Sequence, residues 1–169
     1  MEFKELLLKR RSVRAYQEGI TEEELNQIME AVLLAPSWKN SQTSRYYAAV
    51  TPEAIKEVYD ALPGFNQKST ANAAYIVTAF KKGIVGMPGE GQDLWGSYDL
   101  GLQNAYLLLK AKEAGYDTLI MGLRDEEKLR KIFTIPEDEI VMAVIAIGKA
   151  AEEPVFRPRK TLGEILKTK

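Results

Sequence analysis

The chain has 169 residues, room for one core, and its 46% hydrophobic and 28% charged residues are the usage of an ordinary folded protein rather than a disordered one. Lys and Arg number 23 against 24 Asp and Glu, so no overall field favours nucleic acid or an anionic membrane, and any basic site must be local. With no Cys and no His, disulfide scaffolds, thiol chemistry, Cys/His zinc sites and His-assisted nucleophiles are excluded, which leaves carboxylates, Lys, Arg, Tyr, hydroxyls, a carboxylate-bound metal or a borrowed cofactor.

Residues 2–9 place Phe3, Leu6 and Leu7 at helical spacing and run into basic residues suited to a helix C-terminus. Thr21 with Glu24 three residues on is a capping-box signature, and Leu25, Ile28, Met29 and Val32 form one helix face. Pro36 should end that helix, and residues 36–44 have the composition of a loop. A short strand is expected over 45–50, then a helix capped by Thr51 with Pro52 at its first position, bearing Ile55, Val58, Tyr59 and Leu62 and stopped by Pro63-Gly64.

Residues 75–80 are continuously apolar and β-branched, the pattern of a strand covered on both faces. The glycine-rich stretch 81–92 is the expected lid or mobile loop, and 93–114 reads as a helix apolar nearly all round, ended by Gly115. A strand over 118–121, a helix capped by Asp125 and a long strand over 140–147 complete four strand candidates alternating with helices. The tail, 149–169, has no core pattern until Thr161 caps a brief amphipathic turn, and such an arm is expected to reach a second copy of the chain. The expected class is α+β in one domain, 1–169, with no membrane span and no secretory signal at its start; a cytoplasmic protein is expected.

Two basic clusters stand at opposite ends of the chain, Arg10-Arg11-Ser12-Val13-Arg14 and Phe156-Arg157-Pro158-Arg159-Lys160. Arg forks and a Ser hydroxyl match phosphate oxygens, so the clusters are either a shared anion site or a solvated helix end and a soluble tail. Gly89-Glu90-Gly91 lacks the third glycine of a dinucleotide fingerprint, and no phosphate-loop Gly-Lys-Ser/Thr occurs. Asp93 with Asp99, and the Glu22–Glu24 triplet, read as helix-positioned acids rather than metal ligands, and Trp38 and Trp95 as packing residues. No metal site is expected, and the residues by themselves supply no complete catalytic machinery.

The segment 10–16 resembles the opening motif of the nitroreductase family of FMN-dependent oxidoreductases. Ala35-Pro36-Ser37-Trp38-Lys39-Asn40-Ser41-Gln42 resembles that family's loop, and Phe65-Asn66, the helix with Asp99, Gln103 and Asn104, the segment from Gly115 to Ile120-Met121-Gly122 and the basic tail follow in the family's order. The resemblance implies a central mixed or antiparallel sheet flanked by helices, in an interlocked homodimer with FMN at its interface. It implies that Arg10, Arg11, Ser12 and Arg14 hold the phosphate and ribityl, with Arg14 reaching the N1/O2 edge to stabilise reduced flavin. Arg157, Arg159 and Lys160 would close over the phosphate, and Asn66 would bond the pyrimidine edge. Ile120, Met121 and Gly122 would face the dimethylbenzene side and N5, while Pro36, Ser37, Trp38 and Asn40 would come from the partner subunit.

The activity so implied is ping-pong hydride transfer from NAD(P)H through flavin N5 to a small acceptor, nitroaromatic or quinone, with the flavin carrying the chemistry and no catalytic side chain. A specialised flavin reaction (reductive dehalogenation or flavin breakdown), a non-catalytic dimeric flavin-binding module and a plain interaction protein are the alternatives. The chain departs from the family's pattern at Thr43, where many members have Pro. It is also short over 81–91 and after Gly122, where members build a substrate lid.

Overall fold

The computed structural model describes residues 2–84 and 92–169; the expected lid therefore falls largely outside the described residues. The organising element is strand β5 (Glu139–Ala150), the longest β-like run of the sequence. Its Ile147 pairs with both Ala74 of β3 (Ala74–Lys81) and Thr118 of β4 (Asp117–Met121), so those two strands flank it on opposite edges. Strand β2 (Ser44–Ala49) lies outside β3, and β1 (Tyr16–Glu18) joins β5 at Ala150 and Lys149. Every ladder is antiparallel, which resolves the expected mixed or antiparallel sheet; Ser12 adds an isolated parallel bridge to Thr118.

Side-chain alternation along β3 explains its unbroken burial. Tyr75, Val77 and Ala79 enter a core with Val58 of α3 (Pro52–Asp60) and Leu129 of α6 (Glu126–Phe133). Ala74 and Ile76 enter a second core with Leu25, Ile28 and Val32 of α2 (Glu22–Val32) and Leu107 and Ala111 of α5 (Gln92–Glu113). Successive residues of a strand point to opposite faces, so a strand with helices on both sides must be apolar throughout.

Local signals set the helix boundaries. Both halves of the Thr21–Glu24 capping box form, with the Thr21 N–H donating to Glu24 Oε2 at 3.0 Å and the Glu24 N–H to Thr21 Oγ1 at 3.3 Å. Thr51 caps α3 with Pro52 at its start, and Asp125 caps α6 by accepting from the Lys128 N–H at 3.1 Å. Helix α1 (Phe3–Lys9) opens the chain, and α7 (Leu162–Ile165) lies in an exposed tail.

Three expectations are corrected. The four strand candidates are five strands, because Tyr16-Gln17-Glu18 forms β1. Pro63-Gly64 does not merely stop α3, which ends at Asp60, but starts α4 (Gly64–Thr70). Helix α5, expected to be apolar nearly all round, has polar residues on its buried side. Its inward stripe carries Leu100, Leu107 and Ala111 with buried Asp99, Gln103 and Asn104, while Leu94, Tyr98 and Tyr106 are exposed.

Candidate functional site

The two basic clusters meet. Arg10 follows the last turn of α1, its N–H donating to the Leu6 carbonyl at 3.0 Å. Val13 is fully buried, its N–H donating to the Thr118 carbonyl at 3.2 Å, so the extended segment is pinned while Ser12 and Arg14 on either side stay exposed. Tyr16 fixes it further, giving its hydroxyl proton to the Val13 carbonyl at 3.1 Å. From the end of β5 the tail returns to this segment, beginning with the Ala151 N–H on the Ala15 carbonyl at 2.8 Å. Phe156 then lies under the Arg11 guanidinium, 5.0 Å from its centre.

Burial, with Arg159 and Arg11 close by, lowers the Arg10 pKa from its ordinary value. Each of these influences disfavours the charged form and together they outweigh the opposing pull of the Asp117 carboxylate, so like charge dominates the surroundings of Arg10. Among the described residues none of Arg10, Arg11, Arg14, Arg157, Arg159 and Lys160 forms an ion pair, whereas eleven such pairs engage cations elsewhere. The carboxylate that does approach, Glu152, accepts the Arg14 backbone N–H at 2.9 Å instead. Next to Ser12 the buried Thr118 Oγ1 has no hydrogen-bond partner among the described residues.

A cleft of about 420 Å³ opens beside Arg14. Asn66 and Ser69 of α4 form one wall and residues 119–123, from the end of β4, the other. Asn66 is 7% exposed, and its Nδ2 donates to the Leu123 carbonyl at 3.1 Å. A carbonyl can only accept, so this bond fixes the amide's orientation and leaves Oδ1 as the free acceptor.

Pro36, Ser37, Trp38 and Asn40 do not line this cleft. They sit at the start of α5, where the Trp38 N–H donates to the buried Asp99 carboxylate at 2.9 Å and the Trp38 ring stacks on Trp95 at 4.4 Å. Lys39, Asn40 and Gln42 hold positive φ of 48°, 55° and 49°, a run of non-glycine left-handed residues that a plain connection would not need. Arg14, Asn66, Ile120, Met121 and Gly122 are thus gathered in one cleft beside Arg10, Arg11, Ser12 and Arg159. Arg157 and Lys160 are exposed on the tail. Phe65, Ser69, Leu119 and Leu123 also line the cleft. The helical spacing of Phe65, Asn66 and Ser69 is the available sequence signal for the α4 wall, masked when Pro63-Gly64 is taken as a stop.

An antiparallel sheet between two helical layers, with a cluster of arginines beside a cleft, defines an α+β protein. Comparison with known proteins makes the class specific: the sequence profile of the Nitroreductase family matches residues 7–149, and the chain belongs to that family. The Bacillus subtilis protein named "Putative NAD(P)H nitroreductase YdgI" is 30% identical over 189 residues, covering 90% of this chain and 90% of its own. The Thermus thermophilus protein named "NADH dehydrogenase" is 26% identical, covering 90% of this chain and 89% of its own. A protein of Exiguobacterium sibiricum 255-15 crystallised in complex with FMN superposes with a TM-score of 0.91 at 23% identity, covering 100% of this chain and 98% of that one, a likeness of fold. The recognition of the family and of its fold from the sequence motifs is borne out.

Proposed function

We propose that the protein is an FMN-dependent oxidoreductase, a cytoplasmic homodimer that takes electrons from NAD(P)H and delivers them to a small acceptor of nitroaromatic or quinone type by a ping-pong mechanism. The observation that carries the reading is the unneutralised arginine cluster beside an apolar cleft. A cluster whose own charges oppose one another, with an unpartnered buried hydroxyl at Thr118, fits a bound phosphate better than it fits an unliganded fold. The names of the relatives support the same reading.

In this reading Arg10, Arg11 and Ser12 hold the phosphate and ribityl, and Arg157, Arg159 and Lys160 cover the phosphate from the tail. Arg14 spans both parts of the site, since it belongs to the segment that carries Arg10, Arg11 and Ser12 and also lines the cleft. Its guanidinium stabilises negative charge on the electron-rich edge of the ring. Asn66 Oδ1, freed by the bond from Nδ2 to Leu123, accepts the N–H of a pyrimidine edge. Ile120, Met121 and Gly122 form the wall against the flat ring. When bound, FMN supplies hydride and electron transfer, which is why the chain needs neither His nor Cys.

The apolar outer side of α5, with Leu94, Tyr98 and Tyr106 exposed, together with Val155, Phe156, Leu162 and Ile165 on the tail, supports a homodimer. Pro36, Ser37, Trp38 and Asn40 would then complete the site of the other copy, consistent with their absence from the cleft of their own chain. Flavin content of the Arg10→Ala/Arg14→Ala double variant tests the assignment. Loss of bound FMN with the fold retained is expected, and unchanged content would remove the phosphate role of these arginines.

A further inference from the structure

Arg124 is a cation for which the cofactor reading has no use. It lies between β4 and α6 with its side chain only 16% exposed, and it is not part of the cleft lining. One terminal nitrogen donates to the Gly122 carbonyl at 2.6 Å; the other donates to the Glu126 carboxylate at 3.2 Å and to the Val141 carbonyl of β5. Its Nε is buried without an acceptor among the described residues. Its one carboxylate is shared, since Glu126 also accepts from Arg130 at 2.9 Å. Holding a guanidinium from water on such terms costs stability, and what it achieves is a grip on backbone carbonyls.

That grip falls on the wall of the cleft. The Leu123 carbonyl is held from the cleft side by Asn66 Nδ2, and the Asp125 N–H is tied to the Ala61 carbonyl at 2.7 Å. Two successive peptide planes are therefore clamped, Gly122–Leu123 by Arg124 and Leu123–Arg124 by Asn66. No peptide among the described residues is cis, so the carbonyl and N–H of each plane point in opposite directions. With the Gly122 carbonyl turned toward Arg124, which does not line the cleft, the Leu123 N–H of the same plane points away from Arg124, and Leu123 itself lines the cleft. A charge-assisted bond to the carbonyl also polarises the plane and strengthens that donor.

We propose that Arg124 is a positioning residue which, through the Gly122 carbonyl, presents the Leu123 amide as a hydrogen-bond donor to an acceptor atom of the ring bound in the cleft. The proposal rests on the FMN reading above. Lysine at this position keeps the charge but cannot span the Gly122 and Val141 carbonyls as a fork does.

The test is FMN titration of apoprotein for wild type, Arg124→Met and Arg124→Lys, with the visible spectrum and midpoint potential of the bound flavin. Arg124→Met is expected to bind about tenfold more weakly, the loss of the hydrogen bond from the Leu123 amide to the ring. Its flavin bands and potential should move toward those of free FMN, with partial recovery in Arg124→Lys. Wild type that binds FMN alongside an Arg124→Met variant with equal affinity, spectrum and potential overturns the role of Arg124 and leaves the cofactor reading standing. Wild type that fails to bind FMN overturns both. Should Arg124→Met not fold, amide hydrogen exchange of the wild type decides: protection gained at Leu123 on adding FMN supports the proposal, and unchanged exchange there overturns it.

Discussion

Arg10→Ala is expected to leave the free protein at least as stable as the wild type while weakening FMN binding. Arg10 is half-buried beside Arg159 and Arg11, and burial with those two charges makes its charged form unfavourable in the fold. Removing the side chain relieves that penalty and breaks no ion pair among the described residues. Binding moves the other way, because a charge-assisted bond contributes about 1.5–3 kcal/mol, or about 10- to 150-fold in Kd. At FMN about a hundredfold above the wild-type Kd, the ligand adds about 2.7 kcal/mol to the stability of the folded state. At about 2–4 °C per kcal/mol for a chain of this size, Tm rises by about 5–10 °C. A Kd weakened about thirtyfold leaves about 0.9 kcal/mol at the same concentration, a rise of about 2–3.5 °C. Thermal unfolding of both proteins with and without FMN reads all four numbers. An Arg10→Ala variant that keeps the full ligand shift, or whose apoprotein melts several degrees lower, refutes the argument that this arginine is held for an anion.

Three further perturbations test other parts of the account. Gly148→Ala would place a methyl 2.3 Å from the Glu18 carbonyl oxygen, so β1 must separate from β5; a loss of about 1–3 kcal/mol in denaturant unfolding and weaker FMN binding are expected, since β1 anchors the segment that carries Arg10 and Arg14. Asp99→Ala removes the acceptor of the Trp38 N–H and should cost about 1–3 kcal/mol by leaving that donor unpaired, with the Trp38–Trp95 stack loosened in tryptophan fluorescence. Hydrogen bonds from Thr21, then from Tyr116, hold the Glu24 pKa down at about 2. A lowered acid pKa stabilises the fold above its unfolded value and loses that effect as the pH falls toward the folded one, so the Tm gap between wild type and Glu24→Gln should be open at pH 6 and close as the pH falls to about 2.

The parts of the fold that can be read from the sequence are those fixed by neighbours in the chain. Thr21 with Glu24, Thr51 with Pro52 and Asp125 before α6 each satisfy orphan amides within three residues, so their meaning does not depend on the rest of the molecule. Strand β1 escapes because Tyr16-Gln17-Glu18 has one apolar position and owes its conformation to Ala150 and Lys149, far away in sequence. Helix α4 escapes because a proline followed by glycine can both end one helix and precede the next. The apolar outer side of α5 is legible in the sequence, but what covers it is not, since composition gives apolar character without naming its partner.

The site divides in the same way. The arginine clusters are visible as charge that no helix face requires, and the family resemblance points to Asn66 and residues 120–122. That the clusters meet depends on the tail returning along Ala15, a contact between residues more than a hundred positions apart. The orientation of the Asn66 amide and the clamp by Arg124 depend on backbone carbonyls, which leave no trace in residue identity. Of the expected lid at 81–92, residues 85–91 lie outside the described residues.

The measurement that bears most directly on the central claim is the visible absorption spectrum of the protein loaded with FMN, followed anaerobically on addition of NADH or NADPH. The account predicts two flavin bands that bleach with the reductant and return on adding a quinone or nitroaromatic acceptor. A protein that takes up no FMN, or whose bands persist with both nicotinamides, would contradict it.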